Sequence, residues 1–203
     1  MYFGLSEDQI FFQDNVKKFL EDQLTLDTVK KITEGEDDLA KEELHKGLIN
    51  LGINNILIPE EYGGLGLDLL FATAVSQSLG EGVATLPFLG PYIVAPTAIK
   101  YGASDNQKEK LFADMCENLI NFGIGFSEYF GSRDSSGLNI SDNKVTGKTL
   151  FVLDTDFASH VMIADNNGQI GVVSLDSNGI EMIDLTTVDK TRTYKEMHFS
   201  DTP

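Results

Sequence analysis

The period of the apolar residues changes once along this chain, and that change limits the possible folds more than any motif does. From Ser6 to about Asn118 they recur at helical spacing; after Asn118 they alternate as strands require. Ser6 with Gln9 makes a capping box, in which hydroxyl and amide satisfy the first free N–H groups of a helix. Phe12, Val16, Phe19 and Leu20 then form one stripe, with Glu7 and Asp8 in the first turn, where the helix dipole favours acid. A second helix is expected from about Asp38, carrying Leu44, Leu48 and Leu51 and stopping at Gly52. Asp68 reads as the N-cap of a third, with Leu69, Ala72, Val75 and Leu79. Pro91 opens a fourth that ends near Gly102, and Ser104 with Gln107 caps a fifth through Leu111 and Met115. Leu26 to Asp38, with its run of Glu34, Glu36, Asp37 and Asp38, is expected to be a solvated loop.

Beyond Asn118, strands are expected at Leu119 to Phe126, Val145 to Leu153, His160 to Ala164, Ile170 to Leu175, Ile180 to Leu185 and Thr191 to Phe199. Asp165-Asn166-Asn167-Gly168 and Ser177-Asn178-Gly179 are turn signals between them. Short strands joined by such turns suggest an antiparallel barrel or sandwich. Helices followed by strands place the chain in the α+β class: an all-α bundle over residues 1–117, then a β domain over 118–203.

The length of 203 residues, with 41% hydrophobic and 23% charged side chains, is ordinary for a globular protein. The net charge of −17 repels phosphate backbones and anionic lipid surfaces, so neither nucleic acid nor membrane is an expected partner. Small phosphorylated ligands stay open, since backbone N–H groups hold an anion whatever the net charge. One cysteine, Cys116, suggests a reducing compartment and a cytoplasmic protein, and Met1 to Asp8 reads without a secretory leader. Gly82 to Ile99 carries no charge over a nearly membrane-spanning length, but Pro87, Gly90, Pro91 and Pro96 argue for a buried irregular segment.

His45, His160 and His198 lack partners at ligand spacing, so no metal is expected. No serine sits in a Gly-x-Ser-x-Gly elbow, and Gly63-Gly64-Leu65-Gly66 lacks the dinucleotide spacing; it reads as a tight loop. Phe126 and Phe151, at strand positions, would be core residues in any β domain.

Five collinear segments resemble the acyl-CoA dehydrogenase family. Pro59-Glu60-Glu61-Tyr62-Gly63-Gly64-Leu65-Gly66 is similar to the family's segment after its second helix. Gly102 to Leu111 resembles its Gly-x-x-x-Gln-Lys helix start. Gly125-Phe126-Ser127-Glu128 with Gly131-Ser132-Arg133-Asp134 resembles its Thr-Glu-Pro loop. Val145 to Asp154 is similar to its Gly-x-Lys-x-Phe-Val strand, and Asp189-Lys190-Thr191-Arg192 to its Asp-x-Thr-Arg strand.

The resemblance implies a FAD-dependent dehydrogenation of an acyl-CoA thioester, with hydride passing to the flavin and electrons then to an electron-transfer flavoprotein. It implies cofactor contacts at Phe126 and Ser127, on a strand end along the flavin's pyrimidine edge, and at Phe151 against the ring face. Leu153 falls where many relatives have a threonine beside the flavin, and Tyr129 replaces the usual proline. Gly131 and Ser132 match the loop near the pyrophosphate and the CoA arm if one residue is deleted ahead of them; without that gap Ser132 and Arg133 do. Glu128 resembles a structural glutamate, not the base. No segment of the 203 residues matches the family's C-terminal four-helix domain, so no catalytic residue is assigned and the base is expected beyond Pro203. The resemblance also implies a homo- or hetero-oligomer. Two alternatives stand beside it: a non-catalytic subunit that pairs with an active relative, and a flavin oxidase or monooxygenase on the same scaffold.

Overall fold

A computed structural model describes residues 4–131 and 133–203. Six helices come first: α1 (Glu7–Gln23), α2 (Leu26–Glu34), α3 (Asp38–Asn50), α4 (Leu69–Glu81), α5 (Ala95–Gly102) and α6 (Asp105–Cys116). Seven strands and one helical turn follow: β1 (Phe122–Gly125), α7 (Ser127–Phe130), β2 (Gly137–Ser141), β3 (Lys144–Leu153), β4 (His160–Ala164), β5 (Ile170–Ser174), β6 (Ile180–Asp184) and β7 (Tyr194–Thr202). The α+β class holds.

Local chemistry starts the helices where the residues call for it. Ser6 Oγ accepts from the Gln9 N–H at 3.2 Å, and Gln9 Oε1 accepts from the Ser6 N–H at 2.8 Å. Asp68 Oδ1 accepts from Leu70 and Phe71, and Gln107 Oε1 accepts from the Ser104 N–H. The expected loop at Leu26 to Asp38 is instead largely helix α2. Thr25 caps it, Gly35 ends it in the left-handed region at φ 74°, and an Asp27–Lys31 pair spans one turn at 2.7 Å. Ile32 is its one buried residue, and the acidic run lies at the turn that follows. Pro91 sits within a π turn over Gly90–Val94 that leads into α5.

The sheet runs β5-β4-β1-β3-β7-β6, with β2 paired to β3. It is open, since the strands at the two ends of this path are not paired with each other, and β1 with β4 is a parallel pair. A parallel pair needs a crossover, which the β2–β3 segment supplies. The hairpin expected at Asp165 to Gly168 joins β4 to β5, with Asp165 Oδ1 accepting from the N–H groups of Asn167 and Gln169.

Apolar residues gather in three clusters. One lies among the helices around Val16, Leu48 and Val75. Another lies within the sheet around Val152, Val161 and Met197. Between them, Ile58, Ala95, Ile99, Phe112 and Met115 pack against Phe122, Ile124 and Met162, so β1 and β4 rest directly on the helices. Each fully buried side chain of this seam contributes roughly 1.5–3 kcal/mol of transfer energy. That seam fixes where β1 ends.

The glycine loop is tight, as its composition suggests. Leu65, Gly66 and Leu67 donate to the carbonyls of Asn55, Ile58 and Ile56, and a Cβ on Gly64 would stand 2.1 Å from the Ile58 oxygen. Cys116 is half-buried; burial pushes its thiol up, and Sγ lies 3.6 Å from the Tyr62 carbonyl. Among the described residues, no helix is long and apolar enough to cross a membrane.

Candidate functional site

Two chain segments meet just past the end of β1. The first is Phe126 with the α7 turn and the loop into β2; the second is the far end of β3. They are tied together at Ser127, whose hydroxyl donates to the Leu150 carbonyl and lies 3.3 Å from Glu128 Oε1.

Phe151, like Phe157, is an exposed aromatic residue with a left-handed backbone. The β3–β7 register shifts between Thr149 and Val152, and Phe151 sits inside that shift at φ +54°. For an aromatic residue this left-handed conformation is strained, at a cost of order 1–3 kcal/mol. Its result is that Phe151 leaves the interior: the ring is 42% exposed, while its neighbour Val152 is fully buried. The ring is steadied from the side by Tyr194, edge-on at 6.5 Å, and is overlain by the Arg133 guanidinium at 4.9 Å. Phe151 is therefore not the core aromatic that strand position alone suggests.

Glu128 holds the corner. It is 1% exposed, and its carboxylate accepts from the Ser136 hydroxyl, from the Leu150 N–H at 3.1 Å and from Arg133 Nη1 at 3.4 Å. Burial pushes its carboxyl up, but Ser136, the Leu150 and Arg133 N–H groups and Ser127 outweigh burial and hold it below the usual range. An ionised group so fully engaged pins α7 to β3.

The other sequence candidates are placed as follows. Phe126 and Leu153 are half-buried and pack against the seam cluster, and the Leu153 backbone faces Ile124 across β1 and β3. Gly131 and Arg133 are exposed, and a Cβ on Gly131 would meet nothing within 4 Å. Ser132 lies outside the described residues. The structure thus joins Ser127 to Leu150, next to Phe151, and lays Arg133 over the Phe151 ring, while Gly131 follows in the same loop and Phe126 and Leu153 pack against the seam.

Asp154 was not singled out by any sequence signal. It follows Leu153, is 6% exposed at φ +58°, and accepts from the Gly90 N–H at 2.7 Å, with Arg192 Nη1 at 3.5 Å. Burial pushes its carboxyl up, Asp156 adds to this, and Gly90, Arg192 and Phe88 only partly offset it. It joins the sheet to the π turn of the helical half.

Residues 6–118 match the family description "Acyl-CoA dehydrogenase, N-terminal domain". The chain is 25% identical over 146 residues to an acyl-CoA dehydrogenase, FadE26, of Mycobacterium tuberculosis, covering 69% of this chain and 36% of that one. It is 26% identical over 143 residues to the mitochondrial isovaleryl-CoA dehydrogenase of Bos taurus, covering 70% and 33%. The chain thus spans about a third of the length of these relatives. Among solved structures it shares the fold of the ChsE4–ChsE5 complex of M. tuberculosis, with TM-score 0.85 and 18% identity over all of this chain and 56% of that one. It likewise shares the fold of a glutaryl-coenzyme A dehydrogenase bound to glutaryl-CoA, with TM-score 0.78 and 21% identity over 100% and 56%.

Proposed function

The chain belongs to the acyl-CoA dehydrogenase family of oxidoreductases, and from that premise we propose that the exposed face at Phe151 binds FAD for α,β-dehydrogenation of an acyl-CoA thioester. The observation that carries this reading is Phe151: an aromatic ring held at the surface by a strained backbone, beside the hydroxyl of Ser127. A flat aromatic ligand gives the ring a partner.

The residues fit such a group. Phe151 would lie against the ring, and Ser127 and Phe126 would border its pyrimidine edge, with Leu153 closing the inner side. Gly131, Ser132 and Arg133 would meet the pyrophosphate or the CoA arm, and the free space at Gly131 leaves room for it. Flavin, when bound, supplies the hydride acceptor that side chains lack. Glu128 serves as a fixed support: its oxygens are occupied by donors, so it is not the base that takes the α-proton. The two halves, residues 1–117 and 118–203, act as separate domains joined by the seam. An electron-transfer flavoprotein takes the electrons, a second chain of the same or a related kind completes the assembly, and the setting is cytoplasmic.

A second reading is a non-catalytic subunit beside an active relative. Leu153 favours it, because its side chain packs into the seam and offers no hydrogen bond where relatives have a threonine. The test is direct: the protein is mixed with FAD, desalted and examined for a bound flavin spectrum, then exposed to acyl-CoA. Retained flavin supports the flavin-binding face and no retained flavin contradicts it; because no base is assigned within this chain, retained flavin that bleaches supports the dehydrogenase, whereas flavin that does not bleach is expected under either reading.

A further inference from the structure

Arg133 lies where a ligand ring would go. Its guanidinium is 4.9 Å from the Phe151 ring centre, so in the ligand-free chain it covers the face that the proposed flavin needs. Three observations describe how it is held. It is tethered loosely, with Nη1 at 3.4 Å from Glu128 Oε1 and its side chain 47% exposed. Glu128 does not depend on that tether, because Ser136 and the Leu150 N–H keep its carboxylate satisfied. The chain carries −17 overall, so an anionic ligand approaching this face is repelled except where a cation stands.

We propose that Arg133 is a latch that makes this shelf selective for aromatic ligands bearing an anionic group. A neutral ring stacks on Phe151 but offers the displaced guanidinium no anionic partner. A ring with a phosphate lets the guanidinium trade a cation–π contact for a charge-assisted bidentate hydrogen bond, so the cost of opening is returned. Arg133 is thereby a specificity-determining residue of the shelf. The proposal rests on the flavin reading above.

The chain contains no tryptophan, so Phe151→Trp places a single reporter on the shelf. Acrylamide quenching of that indole is compared with and without Arg133→Gln, a half-exposed position whose loss leaves the core intact. Riboflavin and riboflavin 5′-phosphate are then titrated against both proteins by the same signal. Removal of Arg133 is expected to make the indole more quenchable and to tighten riboflavin about two- to fivefold, the worth of an exposed cation–π contact. The preference of the phosphate form over riboflavin is expected to fall about two- to fivefold without Arg133, the worth of an exposed ion pair, since the cation–π contact is lost to both ligands alike. Equal quenching with and without Arg133 overturns the latch whatever the flavins do. An unchanged preference overturns the selectivity. A shielded indole that neither flavin quenches leaves the cation–π contact standing but removes the flavin reading and, with it, the ligand class assigned here.

Discussion

Glu128 and Asp154 are two buried carboxylates, one in α7 and one just past the end of β3, and their carboxyls shift in opposite directions. Each is served by two backbone N–H groups, Leu150 and Arg133 for Glu128 and Gly90 and Phe88 for Asp154, and each faces one half-exposed arginine at about the same distance. Yet burial is outweighed at Glu128, whose carboxyl is held down, and prevails at Asp154, whose carboxyl is pushed up. Desolvation, donors and neighbouring charge all differ between the two. Glu128 gathers two hydroxyls as well as N–H groups, whereas Asp154 has a second acid, Asp156, nearby. The direction of each shift is set by the balance of desolvation against donors and neighbouring charge. Glu128 is a rigid strut for α7, and Asp154 is a softer link between sheet and helices.

The largest expected effect is at the strut. Glu128→Ala strands a hydroxyl and the Leu150 N–H in the interior, and should cost about 3 kcal/mol, the scale of lost hydrogen bonds to a buried charge. Urea unfolding measures it, and a variant as stable as the parent breaks the comparison. Asp154→Asn should change stability at neutral pH by less than about 1 kcal/mol, because the amide oxygen still accepts from Gly90 and Arg192 is exposed enough to be hydrated. The pH dependences should have opposite signs. Glu128 has a lowered folded value, so its contribution is full above the ordinary glutamate range and is lost as pH falls through the folded value. Asp154 has a raised folded value, so stability tied to it is full below the ordinary aspartate range and is lost as pH rises through the folded value. Denaturation between about pH 3 and pH 7 should therefore show Glu128→Gln flattening the acid loss, and Asp154→Asn removing a smaller loss on the rising side. Like slopes in the two variants would contradict the opposite shifts.

What the sequence makes legible follows how local each feature is. The capping boxes at Ser6 and Ser104 and the turn at Asp165 to Gly168 are built from residues within four positions of one another, and their elements stand where expected. Helix α2 is hidden because the acidic run beside it dominates the reading, although Thr25 and Gly35 bracket it. Strand β2 escapes because Gly137 to Ser141 is short and mixed in polarity, and β3 sets its register through the Asp142-Asn143 turn, both residues at positive φ. The parallel β1–β4 pairing is a matter of the seam with the helices, which no single segment encodes. At the site, resemblance points to Ser127 and Phe151, but the register shift that turns Phe151 outward depends on β7, more than forty residues on. The Asp154–Gly90 bond spans 64 positions, and the Arg133 contact joins a loop to a strand. None of these has a sequence signature.

On the proposed function, the strained, outward ring of Phe151 meets a flavin. That contact is tested most directly by titrating FAD into the chain and into Phe151→Ala while following the flavin's visible spectrum. Saturable binding by the parent, weakened about three- to tenfold in the variant as the loss of an aromatic pair implies, is the expected result. Equal binding by both proteins, or none by the parent, would contradict it.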